Sequence, residues 1–122
     1  MTWHRSTVAP DGTHHVVDGQ AMYSHRFIRV QKFHEPGLAP VADASGAFHI
    51  LSNGRAAYSD RFVQAWGFYE GRAAVQDRAG WFHIDVDGRP LTPDRFAWCG
   101  NFQGGRCTVR SFDRGYLHLT EF

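Results

Sequence analysis

The sequence is short of the features that announce most functions. Its 122 residues include two cysteines, Cys99 and Cys107, too few for the disulfide framework of a small secreted domain. Their spacing leaves a bridge open to them. With no secretory h-region in the first ten residues, two reduced thiols in a cytoplasmic protein are the expectation. No apolar run approaches the roughly 18 residues that a membrane-spanning helix needs, and no stretch holds a 3.6-residue apolar period. Charge of one sign is lacking too: 13 basic against 12 acidic residues leave a formal +1, spread along the whole chain. Nucleic acid would call for a clustered basic face and a membrane surface for a basic amphipathic helix, so neither is expected as a partner. There is no Gly-rich nucleotide loop between a strand and a helix.

What is present is a repeat. Ten Phe and 13 Gly favour strands and tight turns. Displaced by 34 positions, Gly71 falls on Gly37, Val75 on Val41, Gly80 on Gly46, His83 on His49, and Arg95-Phe96 on Arg61-Phe62. Asp87-Gly88 falls on Asn53-Gly54, and both dipeptides are strong hairpin signals. Forward by 34, Gly71, Arg72 and Val75 meet Gly105, Arg106 and Val109. The units run about 3–36, 37–70, 71–104 and 105–122 within one domain. The first is irregular, as end-capping repeats are. The fold expected is all-β: an array of about three and a half 34-residue antiparallel hairpin repeats, solenoid-like or a partial propeller.

Along each strand the residues alternate. The Val75 and Ile84 columns are apolar in every copy where the strands are regular, while His83 falls on the opposite face. Two polar columns therefore recur: His15, His49, His83 and His118, and Arg26, Arg61 and Arg95. Imidazole binds transition metals and titrates near neutrality, and a guanidinium can clamp a carboxylate or phosphate. Each column also has a structural reading. The imidazoles would bond backbone carbonyls at an internal corner, and the arginines would pin the segment after the Asp-Gly turn to its hairpin. Equivalent positions in stacked units are too far apart for one metal ion's short bonds, so no metal or cofactor is expected. No nucleophile, acid–base pair or Cys-x-x-Cys spacing accompanies them.

Gly67-Phe68-Tyr69-Glu70-Gly71-Arg72-Ala73-Ala74-Val75, then Gly80-Trp81-Phe82-His83-Ile84 and Asp87-Gly88, resemble the bacterial WG-type β-hairpin repeats over nearly the whole chain. The dipeptide Trp66-Gly67 occurs once, with Cys99-Gly100 in the next copy. The resemblance implies an all-β binding or accessory module, and similar arrays occur beside methyltransferase domains. The function expected is a non-catalytic binding or interaction module, taking a peptide or small anion on a face lined by the His and Arg columns. The alternative is an accessory domain of a bacterial enzyme such as a methyltransferase, or a metal-dependent enzyme using the His column. Open edge strands at the first unit and at the hairpin from Arg106 to Leu119 point to homo-oligomerisation.

Overall fold

The computed structural model describes residues 2–120; Met1, Glu121 and Phe122, the last two at the end of the fourth repeat, lie outside the described residues. Apart from one 3-10 turn at Thr2–Arg5, the regular structure is all strand. Four antiparallel sheets of three strands follow one another along the chain, and none closes into a barrel. The first contains β1 (Thr7–Val8), β2 (His15–Val17) and β3 (Gln20–Ala21). The second contains β4 (Arg29–Val30), β5 (Ala39–Asp43) and β6 (Gly46–Ile50). In the third are β7 (Gln64–Tyr69), β8 (Arg72–Asp77) and β9 (Gly80–Ile84), and in the fourth β10 (Trp98–Cys99), β11 (Cys107–Arg110) and β12 (Tyr116–Leu119). No helix is long and apolar enough to cross a membrane among the described residues.

The repeated hairpin keeps equivalent pairings in the last three sheets, where Val41 lies opposite Phe48, Val75 opposite Phe82 and Val109 opposite Leu117, whereas in the first sheet Thr7 lies opposite Val16. Its turn is built by an aspartate whose Oδ1 accepts the backbone N–H of Ala79 and Gly80 from Asp77, and of Ser45 from Asp43. Each full sheet also holds a strand drawn from the end of the preceding repeat. Glu70 and Gly71, at φ 54° and 79°, make a tight turn that sets Tyr69 against Arg72. The glycine that opens each repeat is thus the turn inside a sheet, and the sheets straddle the repeat boundaries.

After Asn53-Gly54 and Asp87-Gly88 the chain comes back along the outer edge of the sheet and, among the described residues, forms two isolated backbone bridges with it. The bridges are Ile50 to Ala56 and Ala47 to Phe62 in one copy, and Ile84 to Pro90 and Trp81 to Phe96 in the next. Pro93 sits in the intervening loop, where a missing N–H costs nothing. The fourth sheet has no returning segment among the described residues.

Alternation gives every strand two faces, and both are buried in the middle of the array. Val41, Phe48 and Ile50 pack against Tyr23, Phe27 and Phe33. From the same strands, Ala42 and Ala47 pack the other way, onto Ala65, Phe68, Val75 and Phe82. The third interval repeats the scheme, with Ala74 and Trp81 against Cys99, Cys107 and Val109. Small residues on the second face let one sheet approach the next. The returning segments bind successive units further: Phe27 meets Phe48 edge-on at 6.1 Å and Phe62 meets Phe82 at 5.8 Å.

Tyr23 and Tyr58, from the returning segments, lie over Gly54 and Gly88 in the turn of the following unit. A Cβ on Gly88 would sit 2.6 Å from the Tyr58 ring, at a φ of +84°. Gly88→Ala is therefore expected to cost about 2–4 kcal/mol, combining left-handed strain and overpacking. Gly71→Ala, with open space around its Cβ at φ +79°, should cost only the strain, about 1–2 kcal/mol. Urea unfolding of the two variants measures the difference, and equal losses would show that the tyrosine contact contributes nothing.

Candidate functional site

The histidine column projects from the second face of each sheet toward the next. His15 and His49 are fully buried and His83 is 4% exposed. Each places Nε2 on a carbonyl of the following sheet's first strand or its continuation: Gln31 O at 2.7 Å, Trp66 O at 2.7 Å and Gly100 O at 2.8 Å. A carbonyl only accepts, so Nε2 carries the proton. In the first two copies Nδ1 then accepts from a tyrosine O–H, Tyr23 to His15 and Tyr58 to His49, both at 2.5 Å. The third copy has Thr92 at the tyrosine position. Burial pushes all three imidazoles down from the ordinary value, opposed by their carbonyl bonds, and His49 falls to about 4. They are neutral clasps between sheets. His118 is exposed on β12, with Thr108 Oγ1 at 3.4 Å from its Nδ1.

The arginine column is committed in the same way. One nitrogen of each guanidinium donates to successive carbonyls of its own loop: Tyr23, Ser24 and His25 for Arg26; Tyr58, Ser59 and Asp60 for Arg61; Pro93 and Asp94 for Arg95. Nε of Arg61 donates to Ser45 Oγ, and Nε of Arg95 to Asp77 Oδ2 at 3.1 Å. Their guanidinium carbons stand 3.7 Å over the Phe48 ring and 3.6 Å over Phe82. These residues pin the returning segment to its hairpin. The structure therefore does not bring His15, His49, His83 and His118 together with Arg26, Arg61 and Arg95 as one open surface. The first three imidazoles point into the sheet gaps, and the arginines lie at the outer edge.

Other chemical groups are similarly placed. Cys99 and Cys107 are free and buried; burial raises both thiols, Cys99 to about 12, so neither is a ready thiolate. No three His, Cys, Asp or Glu side chains converge as a metal site among the described residues.

A groove with different residues is the candidate site. It holds about 470 Å³ and is lined by Gln31 and His34 from the second sheet's first-strand segment, Trp66 and Tyr69 from β7, and Trp98 and Asn101 from the fourth sheet's. Trp66, Tyr69 and Trp98 are 36%, 38% and 41% exposed, large for rings of this size. Trp66 stacks on buried Trp81, 5.7 Å between centroids and 8° from parallel. His34 lies 4.8 Å from the Tyr69 ring and against Gly67, where any Cβ would come within 2.7 Å of it. The glycine of Trp66-Gly67 is thus the seat of a neighbouring imidazole. Burial lowers His34 as well, with Lys32 adding to the effect. None of the described residues lining the groove is Asp, Glu, Lys or Arg.

Sequence reasoning missed Trp66, Tyr69, Trp98 and His34. Their signal is departure from the repeat: Trp98 stands where the preceding copy has Gln64, and Trp66 where the following copy has Gly100.

The clasps make stability depend on pH. Between about 4 and 6.5 the unfolded chain protonates the His49 position and the folded chain does not, so stability rises with pH across that window and is lost as pH falls through it. Full loss of this contribution amounts to about 3 kcal/mol. His49→Gln keeps an N–H for Trp66 O but cannot titrate, so its denaturant midpoint should fall less than the parent's between pH 7 and pH 4.5. Identical slopes for parent and variant would refute a neutral buried His49.

Compared with protein-family models, with curated proteins and with solved structures, the chain matches none.

Proposed function

We propose that the protein is a non-catalytic interaction module that takes an uncharged peptide segment, rich in proline or apolar side chains, in the groove around Trp66, Tyr69 and Trp98. The observation that carries this reading is three part-exposed aromatic rings around one uncharged groove, presented by strands of successive sheets. Aromatic rings are the residues interfaces favour, since they cover much area with little conformational freedom to lose. Aromatic-lined grooves are suited to the preformed polyproline helix. Gln31, Asn101 and neutral His34 can bond a peptide's backbone groups without demanding a charge. An anionic ligand is less well served, because Arg61 and Arg95 already bind carbonyls, side-chain oxygens and rings. The resemblance to WG-type arrays, which implies binding or accessory roles, points the same way.

Binding a decaproline peptide, followed by tryptophan fluorescence and calorimetry, tests this. Trp98→Ala is expected to weaken it about tenfold or more, while a surface change such as this shifts stability by about 0.5 kcal/mol or less. Undiminished affinity in Trp98→Ala, or a response only to inorganic phosphate, would overturn the assignment. A response only to a neutral oligosaccharide would keep the groove and overturn the peptide.

A further inference from the structure

The aromatic groove does not end at Asn101. Tyr69 and Asn101 also line a second hollow of about 350 Å³, completed by Glu70, Phe102 and Gln103. The two hollows therefore adjoin at Tyr69 and Asn101. The first has no Asp, Glu, Lys or Arg among its described lining residues, and the second has Glu70 alone.

The Glu70 carboxylate is held in place by backbone. Its Oε2 accepts the N–H of Gly104 at 2.6 Å, and its Oε1 accepts that of Gly105 at 2.8 Å. Those glycines, at φ 62° and 79°, make the turn that follows Gln103, so the carboxylate stands at the Gln103 end of the hollow. Two neutral donors orient the group without cancelling its charge. Each oxygen still has room for a further donor, since an ionised carboxyl offers about four lone-pair sites. No described Lys, Arg or His forms an ion pair with Glu70. Arg72, the cation nearest in sequence, is engaged otherwise. Its Nη1 donates to the Glu70 backbone carbonyl at 3.2 Å, and its guanidinium carbon lies 4.6 Å from the centre of the Phe102 ring.

This anchored carboxylate is unrepeated, like the rings of the groove. Glu35, 35 positions earlier, pairs with His4 Nε2 at 3.2 Å, and no described bond joins it to the turn at Glu70 and Gly71. At the second sheet's side of the groove the charge acting on His34 is that of Lys32. A ligand lying along both hollows therefore meets a cation near one end and an uncompensated anion at the other.

We propose that the peptide taken by the groove carries an arginine or lysine beyond its apolar segment, and that Glu70 receives this cation. The inference rests on the groove reading above and adds the chemistry of the flanking residue and the direction in which the peptide lies. Charge complementarity selects the occupant: a basic end satisfies the fixed carboxylate, and an acidic end is repelled by it. The half-exposed Tyr69 ring lines the same hollow and offers the cation a face to lie against.

Decaproline peptides with blocked termini, carrying arginine, glutamine or glutamate at one end or the other, test this by calorimetry at low salt. At one end only, arginine should bind about two- to fivefold tighter than glutamine, the range of an exposed ion pair, and glutamate should bind more weakly than either. Glu70→Gln should abolish the difference between the arginine and glutamine peptides, and Glu70→Lys should reverse the order. Equal affinities of these two peptides at both ends, with decaproline itself bound, would overturn this inference and leave the groove reading standing. Binding of none of the peptides would overturn both. An arginine preference that survives Glu70→Gln would overturn the role of Glu70. The comparison of the two peptide ends uses the parent chain and depends on no variant folding.

Discussion

A neutral imidazole donating one hydrogen bond across the gap between sheets is the interaction on which the array depends. Each full sheet's first strand offers a carbonyl that its own ladder does not use: Gln31 O, Trp66 O or Gly100 O. Left unpaired in a buried gap, such an acceptor would cost about 1–3 kcal/mol. The preceding sheet supplies the donor. Lysine would bring a charge that the gap cannot solvate, whereas an imidazole is rigid, carries one N–H and remains neutral when burial depresses its basicity. The bond also fixes geometry, since it joins the last strand of one hairpin to the first strand of the next sheet. Apolar packing on either side is permissive by comparison, because Ala, Val and Phe would tolerate small slides that the hydrogen bond does not.

Around each clasp the other repeated residues act as supports. Tyr23 and Tyr58 fix the second ring nitrogen and at the same time lie over the next unit's turn glycine. Arg61 and Arg95 close the returning segment against a phenylalanine that faces the preceding sheet. One column thus serves hydrogen bonding between sheets, another the edge within a sheet, and the phenylalanines connect the two. The third copy is informative: His83 has its carbonyl, Gly100 O, while Thr92 stands at the sequence position that holds a tyrosine in the other copies.

Much of this scaffold was legible in the sequence, because turns and alternation are local. Asp77-Gly80 and Asn53-Gly54 announce their turns through residue types that tolerate positive φ, and the Val75, Phe82 and Ile84 columns mark one buried face. Three things were less legible. Gly71 marks a repeat boundary by periodicity but a turn by geometry, so strand β7 was assigned to the unit before it. The second buried face was obscured because Ala42, Ala47 and His49 alternate with Val41 and Phe48 as a solvent face would; a strand buried on both sides loses its clean pattern. The direction of the histidines follows from that, since only the neighbouring sheet reveals that His49 points into protein. The groove was hidden for another reason: its rings come from the first-strand segments of three sheets, and a register shift in β7 between Ala65 and Phe68 re-aims Trp66.

That division between repeated and unrepeated residues bears on function. A side chain that recurs at every copy has to satisfy the same packing problem each time, and for the His and Arg columns the partners are present and named. A binding site, by contrast, needs residues that break the symmetry, because a ligand meets the array at one place. Trp66, Tyr69, Trp98 and His34 break it together, on one edge, around a groove with no Asp, Glu, Lys or Arg among its described lining residues. Their exposure has an energetic cost that folding does not recover, as large rings left in water forgo the burial that Trp81 and Phe82 enjoy. Such rings are removed from water when a partner covers them, and the strands beneath already hold their backbone geometry through the clasps. The repeated polar residues therefore make the platform, and under the proposed function the unrepeated aromatic ones carry the recognition.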